Sequence, residues 1–140
     1  MKKLVGLFIV TWLVLVGCTN DDAAKWEVSP TFTVDDKTFY GTEGKFGMIK
    51  ANGEVDESAF PAGKGRLYEV HFLDSDKSYD GEKYKMVATH KESGETVKLY
   101  EWDIVDKQSG AKFALDEAGL WNIEVEIDGE PLTSFVVKAE

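Results

Sequence analysis

From Trp26 onward apolar and polar residues alternate with a period of two, and no window of a dozen residues carries a helical stripe. The clearest stretch is Trp121 to Ile127, in which Trp121, Ile123, Val125 and Ile127 share one side and Asn122, Glu124 and Glu126 the other. Successive side chains of a strand point to opposite faces, so this spacing predicts a strand with one face in a core and one in water. Asp128-Gly129 follows, a dipeptide that tolerates positive φ, and Leu132 to Ala139 returns through Phe135 and Val137. Together they predict a β-hairpin.

Upstream, Leu67 to Leu73, Lys83 to Lys91 and Thr96 to Val105 are rich in aromatic and β-branched residues and are separated by Asp/Ser/Gly clusters at 74–82 and 92–95. They predict a meander, with 67–73 pairing 83–91 across the 74–82 loop and Leu73 opposite Lys83. Shorter strands are expected at Thr31 to Tyr40, turning at Asp35-Asp36, and at Lys45 to Lys50. Pro61, within Glu57 to Gly65, falls in a loop or edge crossing where its missing N–H costs no ladder bond. About seven short strands imply an all-β fold, an antiparallel two-sheet sandwich, with a small closed barrel as the competing architecture.

The amino terminus follows a different pattern. Lys2 and Lys3 precede an apolar run of thirteen residues, Leu4 to Val16, which ends in Leu15-Val16-Gly17-Cys18. This is the layout of a signal peptide, expected to form a signal helix, and it is short of the roughly 20 residues that cross a bilayer. The tetrad resembles the bacterial lipobox, in which two aliphatic or small residues and a Gly or Ala precede the cysteine that receives a diacylglyceryl group. The resemblance implies cleavage before Cys18 and lipidation of its sulfur, leaving a thioether that is neither nucleophile nor metal ligand. It divides the chain into a lipoprotein signal peptide at 1–17, a lipidated polar spacer at 18–25 and a β domain at 26–140.

Composition then bounds the partners. Twenty-six acidic residues against 16 basic ones give a net charge of −10, and loss of Lys2 and Lys3 takes it to −12. A pI near 4.7 argues against nucleic acid, whose phosphates need a basic face. The same charge keeps the domain off an anionic lipid surface, so the lipid acts as a tether. Aromatic residues make up 12% of the chain, enough to exclude the signature of disorder.

Leu115-Asp116-Glu117-Ala118-Gly119-Leu120-Trp121-Asn122-Ile123-Glu124-Val125 resembles the penultimate-strand entry of bacterial immunoglobulin-like domains: a leucine, a turn glycine and an aromatic, then alternating aliphatics. The likeness spans 113–139 and concerns fold, not function. With the lipobox and the opening Trp26-Glu27-Val28-Ser29-Pro30-Thr31-Phe32, the chain resembles small uncharacterised cell-surface lipoproteins of Gram-positive bacteria. That resemblance implies an immunoglobulin-like sandwich and a cell-membrane location on the extracytoplasmic face. It supplies no catalytic residue.

Few residues suit chemistry. Asp74, Asp76, Ser78 and Asp80 alternate in a way that suits a calcium loop, but Tyr79 stands where an EF-hand turn needs Gly and Lys85 where a glutamate belongs. The competing reading is a solvated hairpin turn whose Asp and Ser side chains cap their own backbone. His71, His90, Met48 and Met86 are the borderline or soft ligands left for copper; the expected pairing sets the two histidines too far apart for one ion, and the competing reading is two polar strand residues facing water. Neither histidine has a serine in an elbow context, and a phosphate loop and HExxH are both missing. Glu124 and Glu126 read as charge on a wet strand face. Trp121 is expected in the core, and Trp26 and Trp102 in core or inter-sheet packing ahead of ligand stacking.

The sequence therefore leads to a non-enzymatic, lipid-anchored binding module without a cofactor. Its expected partners are the membrane, through Cys18, and another envelope protein. An ion-handling lipoprotein, for calcium or copper, is the alternative.

Overall fold

The computed structural model of the chain describes residues 26–140. Cys18, the signal segment 1–17 with its expected helix and the spacer 18–25 lie outside the described residues. Alternation of apolar and polar side chains yields nine strands: β1 (Phe32–Val34), β2 (Lys37–Thr42), β3 (Phe46–Lys50), β4 (Arg66–Phe72), β5 (Lys83–His90), β6 (Thr96–Asp103), β7 (Gln108–Phe113), β8 (Gly119–Ile127) and β9 (Glu130–Ala139). They form two antiparallel sheets, of order β1-β2-β3-β4-β7 and β6-β5-β8-β9. Among the described residues there is no helix.

The β8–β9 hairpin stands where the alternation puts it, turning through Asp128 (φ 50°) and Gly129 (φ 85°). On β8 the side chains of Trp121, Ile123, Val125 and Ile127 are all buried. Thr31 to Tyr40 divides at Asp35 and Asp36, with φ of 50° and 67°, into the hairpin β1–β2. Two consecutive left-handed residues match the right-handed twist of the flanking strands.

The expected pairing of 67–73 with 83–91 is overturned. β4 pairs with β3 and β7, whereas β5 pairs with β6 and β8 in the other sheet. The 74–82 segment is thus a crossing between sheets. It is tied to the turn after β6: Gly81 donates to Ile104 O at 3.1 Å, Ile104 to Glu82 O at 2.8 Å, and Asp106 N–H to Asp80 Oδ1 at 2.7 Å. The slot beside β4 goes to β7, a strand the sequence reading did not anticipate.

Between the sheets lies one core. Phe46, Met48, Tyr68, Val70 and Phe72 from the larger sheet meet Tyr84, Met86, Ile123, Val125 and Phe135 from the smaller, all buried. Each such side chain contributes about 1.5–3 kcal/mol through burial. An aromatic row closes one end: Tyr40 meets Phe60 edge-on at 5.2 Å, Phe60 stacks on Tyr68 at 5.4 Å, and Tyr68 on Phe113 at 4.6 Å. Pro61 sits in the long loop between β3 and β4 that carries Phe60 into this row.

Candidate functional site

The loop after β3 folds back over the sheet and closes one side of a groove of about 460 Å³, whose walls include Thr38, Tyr40, Ile49, Asn52 and Glu57. Glu57 is the anchor. Its Oε1 accepts from Arg66 Nη2 at 2.7 Å, and its Oε2 accepts from Arg66 Nε at 2.8 Å and Lys50 Nζ at 2.6 Å. Lys50 ends β3 and Arg66 begins β4, so the strands bring two cations to one carboxylate from the loop between them. The three side chains keep only 10–19% of their surface exposed. Lys50 also donates to Ser58 O at 2.8 Å, which fixes the loop.

This network sets what the groove can do. The Arg66 fork, then Lys50, hold the Glu57 carboxyl well below the usual carboxylate range, and the same contact raises Arg66. A carboxylate so stabilised is neither a proton donor at neutral pH nor a competent base. The groove is lined by a mixture of polar and apolar side chains beside this fixed ion-pair network. Its triad went unread because Lys50, Glu57 and Arg66 follow no motif spacing, and only the β3–β4 pairing joins them.

In the 74–82 crossing, Asp74, Ser78 and Asp80 each cap a backbone N–H of the chain itself. Asp74 Oδ1 accepts from Asp76 N–H at 3.0 Å, Ser78 Oγ from Asp80 N–H at 3.4 Å, and Asp80 is held by Asp106. Tyr79 takes a φ of 58° and packs edge-on against Phe72 at 6.0 Å. No cluster of three or more His, Cys, Asp or Glu suited to a metal occurs among the described residues.

The copper candidates are dispersed. Met48 and Met86 are fully buried in the core. His71 lies on the outer face of β4, with Nε2 3.2 Å from Glu69 Oε1 and its ring edge-on to Phe39 at 5.1 Å. His90, expected to face water, instead points inward from β5 with 2% of its surface exposed. Its register opposite Trp121 on β8 puts it on the inner face, where the rings lie 4.7 Å apart.

His90 also has the serine neighbour that the sequence did not predict. Ser93 Oγ lies 3.0 Å from Nδ1, and Nε2 lies 3.0 Å from Ala118 O. A carbonyl only accepts, so Nε2 carries the proton and Nδ1 accepts from Ser93. Ser93 Oγ in turn accepts from Glu95 N–H at 3.1 Å. This pair closes the β5–β6 turn. Among the described residues no carboxylate bonds to His90, so the pair lacks the group that orients a catalytic histidine; the imidazole is buried and Ser93 is exposed. Gly119, at φ 121°, makes the close approach feasible, since a Cβ there would meet His90 Nε2 at 3.0 Å.

Glu124 and Glu126 project from the outer face of β8, Glu126 beside Lys85 at 3.7 Å. Near them a depression of about 370 Å³ runs along Pro131 to Ser134. Trp121 is fully buried and donates from Nε1 to Glu117 O at 2.9 Å. Trp26 is half-buried. Trp102, expected in core or inter-sheet packing, is 61% exposed, because β6 is the last strand of its sheet. Burial pushes the Tyr84 hydroxyl, which donates to Ser109 Oγ at 2.8 Å, up to about 12.

Among solved structures the chain is similar to a crystal structure of a Bacillus anthracis protein assigned as a lipoprotein. The two are 18% identical, superpose with a TM-score of 0.67, and the match covers 94% of this chain and 98% of that one. At that identity the likeness shows the fold. No family model matches the chain, and no curated protein does.

Proposed function

We propose that the chain is a lipoprotein held at the outer face of a cell membrane by a diacylglyceryl thioether on Cys18, with its sandwich serving as a non-catalytic binding module for another envelope protein. The observation that carries this reading is the Leu15-Val16-Gly17-Cys18 tetrad at the end of a thirteen-residue apolar run. Two acyl chains suffice for stable anchoring, since each buried CH₂ contributes roughly 0.8 kcal/mol. The likeness to a Bacillus anthracis protein assigned as a lipoprotein supports the same reading at the level of fold. The non-catalytic half is supported by the chemistry of the side chains, with Glu57 held as a fixed anion and the buried His90 bonded to Ser93 and to Ala118 O with no carboxylate to orient it.

We read the sandwich as immunoglobulin-like. Taken in order, β3 to β9 place their first, second and fifth strands in one sheet and their fourth, third, sixth and seventh in the other. This corresponds to strands A, B and E against C′, C, F and G, with β1 and β2 added beside A. The antibody hallmarks differ: the buried tryptophan is on β8 rather than β5, and the described strands hold no cysteine.

Metabolic labelling of the full chain with an alkyne fatty acid in a Gram-positive host tests the anchor, with proximity crosslinking on the same intact cells. The wild type is expected to carry the label, sediment with membranes and crosslink to envelope proteins; Cys18→Ser is expected to lose all three. An unlabelled wild type would overturn the lipoprotein reading. A labelled wild type whose crosslinks survive Cys18→Ser would overturn the anchored binding role.

A further inference from the structure

The smaller sheet ends in two different edges. Along β9, Ser29 N–H donates to Val136 O at 3.0 Å and Ser29 Oγ accepts from Val136 N–H at 3.0 Å, while Thr42 and Thr133 hydroxyls meet at 2.7 Å. That edge is covered by the chain itself. Along β6, no backbone hydrogen bond outside the β5–β6 ladder reaches Thr96 to Asp103 among the described residues. An eight-residue edge of unpaired N–H and C=O groups is a template for another strand.

The side chains of β6 favour a particular strand. Its pairing with β5 shifts register at Met86/Val87: Met86 faces Tyr100 and Val87 faces Lys98, so Leu99 is an extra, bulged residue. The bulge resets the faces. Thr96, Lys98, Glu101 and Asp103 oppose the outward Thr89, Val87, Lys85 and Lys83; Val97, Tyr100 and Trp102 oppose the inward Ala88, Met86 and Tyr84. In an antiparallel pair, opposed residues must share a face. Setting β6 against a second β6 about a two-fold between Leu99 and Tyr100 opposes Thr96 to Asp103, Val97 to Trp102 and Lys98 to Glu101. Every one of these pairs is on a common face, and this holds only because of the bulge. The register joins opposite charges twice and lays the exposed Trp102 indole beside a valine twice.

Charge suits this edge to a second copy of the chain. On a chain of net charge −10, Lys83 faces Asp103 and Lys85 faces Glu101 beside Lys98, so cations match anions along the outer side of β6. At such a strip two acidic molecules meet with their repulsion locally offset. We propose that β6 is a self-association edge, through which two copies of this chain pair antiparallel and extend the four-stranded sheet to eight. The interface is isologous, so each contact occurs twice.

The test uses the full chain, co-expressed with two different tags, extracted in mild detergent and recovered through one tag, with its mass checked by sedimentation. The wild type is expected to recover both tags at the mass of a dimer. Lys98→Glu alone sets carboxylate against carboxylate at both copies of the Lys98–Glu101 contact, and Glu101→Lys alone sets ammonium against ammonium there; each is expected to lower co-recovery at least tenfold. Co-expressing the Lys98→Glu chain with the Glu101→Lys chain restores opposite charges only across the interface, since the 3.1 Å Lys98–Glu101 contact within each chain is lost in both. That mixture is expected to return to the wild-type level. A monomeric wild type, single variants that still pair, a mixture that fails to recover, or a different polypeptide on the edge would each overturn the proposal.

Discussion

Trp102 and Trp121 are both on the inner face of one sheet, two strands apart, and they meet opposite surroundings. Trp121 is fully buried; its N–H is satisfied by Glu117 O, and its ring lies on a histidine whose two nitrogens are themselves bonded. Trp102 opposes the buried Tyr84 and yet is 61% exposed. Alternation assigns a side chain to a face, but only a strand's position in the sheet decides whether anything covers that face. Central β8 has neighbours on both sides and the other sheet above it. Terminal β6 has one neighbour.

The largest effect expected from this contrast is at Trp121. Trp121→Ala removes a fully buried indole and leaves a cavity beside His90, a loss of about 3–5 kcal/mol. Chemical denaturation followed by far-ultraviolet circular dichroism measures it. A loss under about 1 kcal/mol would mean that the corner collapses readily, and the two tryptophans would then differ little.

Next comes Glu57, which extends the contrast from apolar groups to charged ones: like Trp121, it finds every partner within the chain. Glu57→Gln is expected to destabilise at neutral pH by less than Trp121→Ala, since it leaves Arg66 and Lys50 facing each other without the anion. The pH dependence follows from the lowered folded value, caused chiefly by Arg66 and then Lys50. Between that value and the ordinary carboxylate value of about 4.3, the unfolded chain holds a proton that the folded chain lacks. The advantage of wild type over Glu57→Gln is therefore full above pH ~5 and shrinks as the pH falls below it. Denaturation midpoints of both proteins from pH 7 to pH 3 check this; a difference that stays constant to pH 3 would remove Glu57 as its source.

These residues also mark how far the sequence could be read. Trp121 to Ile127 announced their strand, face and hairpin, because a two-residue period and Asp128-Gly129 are local signals. The placement of β4 and β5 in different sheets was not legible. A nine-residue polar segment, Asp74 to Glu82, suits a hairpin or a crossing equally, and the deciding bonds come from Ile104 and Asp106, far along the chain. β7 escaped notice because Gln108 to Phe113 turns only two apolar side chains, Ala111 and Phe113, into the core. Its entry turn, Asp106-Lys107 at φ 57° and 62°, has neither Gly nor Asn to signal it. His90 misled for a different reason: it reads as a polar strand residue facing water, yet it alternates in phase with the buried Tyr84, Met86 and Ala88, and β5 against β8 sets it inward on Trp121. At the candidate groove, Glu57 is one acid in a loop until β3 and β4 close around it.

The smallest expected effect completes the comparison at Trp102. Trp102→Ala deletes an indole 61% of whose residue surface is already in water. Within a single chain it should shift stability by no more than about 0.5 kcal/mol, as is usual for exposed positions. Its consequence belongs to pairing: without the indole the two Val97–Trp102 contacts vanish, and co-recovery of tagged chains should fall while denaturation at low protein concentration stays at the wild-type midpoint. Acrylamide quenching provides the matching observation, since removal of Trp102 should abolish the most accessible fluorescence within the sandwich and removal of Trp121 should leave it. A loss near 2 kcal/mol at low concentration would mean that Trp102 is covered by its own chain, and the distinction between a sealed interior strand and an open edge would fail at the residue that defines it.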